Sequence, residues 1–188
     1  MKIKATALIL AVTALAAALP CAAADEYINA ALNQQMSASS YAAGHMPGMA
    51  NDDINDNEEY TYWISAADDG GAWCGVDLGT AQMISAVEIE ARCGDVPEEE
   101  RSNFRIIASD SADFGEYEVL AEVSAAYTGG QRFDVGTTER FRYVRAQKTD
   151  GKRFSIAELR VFVDKNSVLQ GDKVDSTSGR MVYNTQGI

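Results

Sequence analysis

The sequence predicts an all-β domain, a two-sheet β-sandwich of jelly-roll type. Three observations carry that expectation. In Trp73-Cys74-Gly75-Val76-Asp77-Leu78-Gly79, Val76 and Leu78 alternate with smaller or polar residues and the run closes on a glycine. Directly after it, Ile84, Val87, Ile89 and Ala91 are set among Ser85, Glu88, Glu90 and Arg92, so the two stretches read as neighbouring strands joined at Gly79 to Gln82. Downstream the chain repeats short alternating runs divided by Gly, Asp, Asn and Ser, with no long helical period beyond the first 24 residues.

Taken in order, Met1 to Ala24 reads as a secretory signal peptide. Lys2 and Lys4 precede an apolar run from Ala5 to Leu19, and Ala22-Ala23-Ala24 forms a small-residue cleavage site. The run is short of the ~20 apolar residues a membrane-spanning helix needs. Cys21 would anchor a lipid only behind a small residue, and Pro20 stands there. The expected domain is 25–164, a length suited to one core. Two cysteines, Cys74 and Cys93, remain in it. In an oxidising compartment an even pair on adjacent strands points to one disulfide; the alternative is two free thiols, since cysteine buries readily.

From Asp25 to Asn33 the chain leads in, and Met36 to Ala43 reads as an outer strand. Gly44-His45-Met46-Pro47-Gly48-Met49 is a loop. Ala50 to Glu59 is too rich in carboxylates and amides for a core strand and reads as a long acidic loop. Tyr60-Thr61-Tyr62-Trp63-Ile64 returns to aromatic and β-branched residues. Beyond the central pair of strands, Cys93 to Ser102 is a charged loop, followed by strands at Phe104 to Ala108, Tyr117 to Val123 and Gln131 to Val135. Phe141 to Ala146 and Phe154 to Val163 complete the set, joined by the turn Thr149-Asp150-Gly151-Lys152. Residues 165–188 are polar and aperiodic, a C-terminal tail.

The formal net charge is −12, and removal of Lys2 and Lys4 makes the remaining chain more acidic still. Such a surface repels phosphate backbones and anionic headgroups, which excludes nucleic acid as a partner and leaves neutral glycans and divalent cations compatible with the field. No histidine accompanies a plausible serine or cysteine nucleophile, and nothing places two carboxylates across a cleft, so catalysis is not expected.

The landmarks Ala38-Ser39-Ser40, Thr61-Tyr62-Trp63, Trp73 with Val76-Asp77-Leu78-Gly79, Val87-Glu88-Ile89, Phe104-Arg105-Ile106, Phe141-Arg142-Tyr143-Val144-Arg145 and Ile156 to Phe162 follow one another at suitable spacing. In this the chain resembles the discoidin family, the coagulation factor V and VIII type C domains, whose bacterial members include family 32 carbohydrate-binding modules. The resemblance implies a galactose-binding-like β-sandwich and places Trp63 and Trp73 at core or near-core positions. It also implies a structural calcium held by a side chain of the acidic loop, Thr61, the carbonyl of Ala157 and the carboxylate of Glu158. Oxygen ligands from an irregular loop suit calcium. Asp52 is favoured as the loop ligand and Asp56, followed by Asn57 in a glycine-like place, is its rival. Glu158 interrupts an apolar strand, so a buried carboxylate there needs a partner: the metal, or Arg142 or Arg145.

In sugar-binding relatives of this kind, loops at one end of the sandwich offer an aromatic ring for the apolar face of a pyranose and charged arms for its hydroxyls. The candidates are His45 and Tyr41 from the early loop, Arg92, Asp95 and Arg101 around the later loop, and Phe154 with Lys152 near the last hairpin. Arg92-Cys93-Gly94-Asp95 and Arg101 resemble half of a fucose-lectin pattern, but Ala66-Ala67-Asp68-Asp69 stands where its histidine would be. The expected ligand is a glycan. A protein partner is the alternative, hinted at by Met46 and Met49 beside Pro47-Gly48.

Overall fold

A computed structural model describes residues 27–56 and 61–165. The expected signal peptide and the tail beyond residue 165 lie outside them. Ten strands run β1 Tyr27–Asn29, β2 Gln35–Ala38, β3 Trp63–Ile64, β4 Trp73–Glu90, β5 Phe104–Ser109, β6 Glu118–Val123, β7 Gly130–Asp134, β8 Arg140–Lys148, β9 Ser155–Ile156 and β10 Glu158–Asp164. Short 3-10 turns occupy Pro47–Ala50 and Glu98–Arg101. Among the described residues no helix is long and apolar enough to cross a membrane.

All pairings are antiparallel. One sheet runs β2-β4-β8-β5-β6, the other β1-β10-β4-β7, and β3 with β9 forms a small separate pair. Strand β4 therefore belongs to both sheets. Its first half faces β2 and β8, and its second half faces β10 and β7. The expected hairpin at Gly79 to Gln82 is corrected: the chain does not turn back but continues as one strand. Leu78 to Ala81 stand across from Arg142 alone, because Asp77 pairs with Tyr143 and Gln82 with Phe141. This bulge bends the strand from one layer into the other. Gly79 makes the bend possible with φ +78, and its N–H donates to Asp77 Oδ1 at 2.8 Å.

The alternation expected from the sequence sets the core. Cys74, Val76 and Leu78 point inward from the first half of β4, and Val87, Ile89 and Ala91 from the second half and its end. They meet Phe104 and Ile106 of β5, Val144 and Ala146 of β8, and Leu159 and Val161 of β10. Each large apolar side chain so buried contributes about 1.5–3 kcal/mol. Trp63 is fully buried at the centre, and its Nε1–H donates to Ser40 O at 3.0 Å, so the indole loses no hydrogen bond by burial. Trp73, by contrast, begins β4 half-exposed on the outer face and is not a core residue.

The expected disulfide is also corrected. Both cysteines are free: Cys74 is packed in the core, while Cys93 is exposed just past the end of the same strand. A bridge needs two Cβ vectors that converge, and these two diverge into core and solvent. Burial pushes the Cys74 thiol well above its ordinary value, which keeps it an unreactive thiol. In the native protein iodoacetamide is expected to label Cys93 and spare Cys74 until unfolding, as read by peptide mass spectrometry. Protection of both would restore the bridge.

Candidate functional site

Tyr62 precedes β3, so with Trp63 turned inward its own ring is left at the surface side of the strand, where two loops meet it. The His45 ring stacks on it, with centroids 4.4 Å apart and an interplanar angle of 29°. The Arg92 guanidinium lies 4.8 Å from the same ring centroid. Arg92 donates from Nη1 to Tyr62 Oη at 3.0 Å and from Nη2 to Glu100 Oε2 at 3.2 Å. Glu100 is buried, so this charge pair is shielded from water and fixes the arginine more firmly than a surface pair would. Tyr62 and Glu100 were not among the residues expected at a site. The alternation that turned Trp63 inward already placed Tyr62 outward.

Arg92, Asp95 and Arg101, expected to act together, do line one cavity of about 290 Å³, with Asn55, Glu90 and Gly129 completing its wall. They play unequal parts. Arg101 Nε donates to Val96 O at 3.2 Å and its Nη1 donates to Tyr127 O, which ties the charged loop to the chain entering β7. Asp95 is exposed at the rim, following Gly94 with φ +89. Asn55 Nδ2 donates to Glu90 Oε1 at 2.7 Å on the opposite wall. The cavity thus offers a fixed cation, amides and carboxylates around a space with room for sugar hydroxyls.

Phe154 does not belong to this site. It is fully buried, 5.1 Å from the ring of Phe104 and 5.8 Å from that of Trp63, so no ligand can stack on it. The Phe154 N–H donates to Ser65 Oγ at 3.1 Å, which turns the side chain into the core just before β9 begins. Lys152 is exposed and lies 3.8 Å from Glu99. Tyr41 and Met46 are exposed, and Met49 is half-buried.

The acidic loop folds over the start of β10. Asn51 is buried and donates from Nδ2 to the carbonyls of Ala31 and Gln34, anchoring the loop's first turn. Asp52 Oδ1 accepts the Ile54 N–H at 3.0 Å, and Asp53 adopts φ 61, the left-handed conformation expected of a glycine-like place. Glu158 is fully buried beneath it. Its Oε1 accepts the Ile54 N–H at 3.1 Å, while its Oε2 is buried with no hydrogen-bond partner. Burial pushes the Glu158 carboxyl up to about 8, against the opposing pull of Arg160. Arg160 itself is bound to Asp53, Glu88 and Glu90 at 2.7, 2.9 and 2.7 Å. Neither arginine expected beside Glu158 is there: Arg142 makes a bidentate pair with Asp77 at 2.7 and 2.8 Å, and Arg145 lies between Trp73 and Phe114.

Ala157 donates its N–H to Glu90 O at 2.9 Å. Thr61 is half-buried, Asp56 is exposed, and Asn57 falls outside the described residues. Among the described residues, no three His, Cys, Asp or Glu side chains converge as a metal cluster. A donor set of carboxylates and backbone carbonyls of the kind offered here would suit calcium better than a transition metal.

Comparison with known proteins gives three findings. No curated protein matches the chain. Among solved structures, the lectin domain of lectinolysin complexed with Lewis B antigen is 26% identical, with a TM-score of 0.61 over 73% of this chain and 97% of that one. A Streptococcus pneumoniae fucose-binding module is 22% identical, with a TM-score of 0.63 over 73% and 99%. A Clostridium perfringens module in complex with GlcNAc-α-1,4-galactose is 19% identical, with a TM-score of 0.57 over 74% and 96%. The last two show the shared galactose-binding-like fold. The F5/8 type C domain profile matches residues 35–159, from β2 into β10 and across both loops described above, so the chain belongs to the F5/8 type C, or discoidin, family.

Proposed function

We propose that this domain is an exported, non-catalytic carbohydrate-binding module that takes a glycan at the Arg92 cavity and carries a structural calcium beside Glu158. The observation that carries the glycan reading is the fixed Arg92. Held on the Tyr62 ring and by Glu100 at the wall of a cavity of about 290 Å³, it is a preorganised donor for paired hydroxyls. The lectin domain that is 26% identical is complexed with Lewis B antigen in its solved structure, which supports a glycan as the ligand class here.

The calcium reading is supported by the orphaned Glu158 Oε2 and by Asp52-Asp53, where Asp53 takes the left-handed place behind Asp52. Asp52 is thereby favoured over Asp56. Glu158 and Asp52 would hold the ion, with the carbonyl of Ala157 and with Thr61. What calcium supplies is charge neutralisation that lets a buried carboxylate ionise and locks the loop.

The test is a glycan array on the secreted protein, followed by titration of any glycan bound. Arg92→Ala is expected to lower affinity at least about tenfold, since a charge-assisted bidentate contact is removed. Arg92→Lys, which keeps the charge and loses the fork, falls between. Binding of no glycan by folded protein, or equal binding by the alanine variant, overturns the proposal.

A further inference from the structure

The outer face of the five-stranded sheet holds a second cavity, sharing no residue with the Arg92 pocket. Its floor is Gly75. Because Cys74 and Val76 face the core, Trp73, Gly75 and Asp77 face outward, beside Tyr143 and Arg145 of β8 and Gln35 and Ser37 of β2. The strands approach so closely that a Cβ at Gly75 would lie 2.5 Å from Arg145 Cβ and 2.8 Å from Val144 O. Glycine there lets β8 lie this close, and beside it runs a groove of about 230 Å³ lined by Trp73, Tyr143, Arg145 and Phe114. That is the scale of one sugar ring, below the ~300–1,000 Å³ of drug-sized sites.

Phe114 is held there at some cost. Its φ is 54, a conformation unfavourable for a bulky residue, yet its ring is buried. Ser109 Oγ donates to Glu116 O at 2.6 Å, and the Gly115 N–H donates to Asp113 Oδ1 at 2.9 Å, which pins the loop on the sheet.

Two arginines of this face make no ion pair among the described residues, although Glu122 stands opposite Arg105 across β5 and β6 and Asp77 opposite Tyr143 across β4 and β8. Arg145 lies 4.0 Å from the Phe114 centroid and 5.1 Å from that of Trp73. It donates from Nη2 to Gln147 Oε1 at 3.1 Å, and its Nε is buried with no acceptor. Arg105, two residues along the neighbouring strand from Arg145's partner Ile107, lies 4.9 Å from the Tyr117 centroid, and its Nε is likewise buried without an acceptor. Among the described residues neither arginine has a carboxylate within ion-pair distance, while Arg142 nearby is neutralised by Asp77.

We infer that this groove binds the carboxylate-bearing ring of an acidic saccharide. The Arg145 guanidinium, flattened between two aromatic rings, takes the carboxylate by its free edge; Trp73 and Tyr143 take the ring's C–H face; Gln35 and Ser37 meet hydroxyls at the rim. Uronic and sialic acids both supply this chemistry. A long polyanion is disfavoured by the chain's overall charge, which confines the preference to a local residue or chain end.

Trp63 is buried in the core and the chain has two tryptophans, so a ligand-dependent change in fluorescence reports Trp73. Full-length protein is titrated with glucuronate, galacturonate and N-acetylneuraminate, against methyl glucuronate ester, glucose, acetate and a glutamate-rich peptide. A saturable response to the acids is expected, at least about tenfold weaker for the ester and weakened by salt. The sugar series that responds names the source. Arg145→Gln is expected to abolish it while leaving glycan binding at Arg92 intact. Ser37→Glu, an exposed substitution that places a like charge at the rim without touching the core, does the same. No response to any acid, equal response to ester, acetate or peptide, or wild-type response in Ser37→Glu overturns the inference. A chain that binds no array glycan yet responds to uronate loses the proposed function and keeps this site.

Discussion

Replacing Phe154 by alanine is expected to lower the folding free energy by about 3–5 kcal/mol and to leave glycan affinity of the folded protein unchanged. The ring is fully buried between Phe104 and Trp63, and the Lys148 ammonium lies 5.8 Å from its centroid. Lys148 is itself buried and donates to the carbonyls of Glu99 and Ser102, capping the Glu98–Arg101 turn that carries Glu100 and Arg101. Deleting the ring leaves a cavity between the five-stranded sheet and the separate β3–β9 pair, which cannot close on it together. Set against a typical total of about 5–15 kcal/mol, the loss is a large share of the domain's stability. Urea denaturation checks it: the midpoint falls at an unchanged slope. Lost glycan affinity at wild-type stability would return Phe154 to the ligand platform.

Chelation is expected to destabilise the protein by about 2.7 kcal/mol relative to calcium at 100-fold above its dissociation constant. Thermal melting reads this directly. Glu158 is buried with Oε2 unpaired, and its carboxyl is pushed up to about 8 by that burial. An ion held at Oε2 would replace the proton as the neutralising partner and would tie β10 to the Asp52 loop. Glu158→Gln keeps an acceptor for the Ile54 N–H but removes the charge. Its melting temperature is therefore expected to be the same with calcium and with chelator. Asp52→Asn is expected to weaken the calcium response and Asp56→Asn to leave it nearly intact. A wild-type melting temperature indifferent to chelation removes the calcium.

The strands were legible because alternation is a local property. Val76 with Leu78, Val87 with Ile89 and Leu159 with Val161 all face inward as their spacing requires. What lay beyond reading was set by partners distant in sequence. Gly79 suits a hairpin and a bulge equally, and only β8 opposite Leu78 to Ala81 decides between them. The supposed disulfide failed with the hairpin, since it assumed two strands where there is one. Phe154 looked like a loop aromatic beside a turn, and its burial depends on Trp63 and Ser65, some ninety positions earlier. At the Arg92 site the charged members were visible as residue types. Tyr62, which joins His45 to Arg92, was masked by its neighbour Trp63.

The strand shared between the sheets has a consequence for how the domain opens. Any fluctuation that strips β4 removes a central partner from both sheets at once, so neither can melt as an independent unit. Slow amide exchange should thus concentrate in β4 and the flanking β8 and β10, with edge strands β1 and β6 fraying first. Since both the Arg92 loop and the groove at Gly75 grow from this one strand, ligand-induced protection at either end would register in the same cooperative unit, 18 residues long.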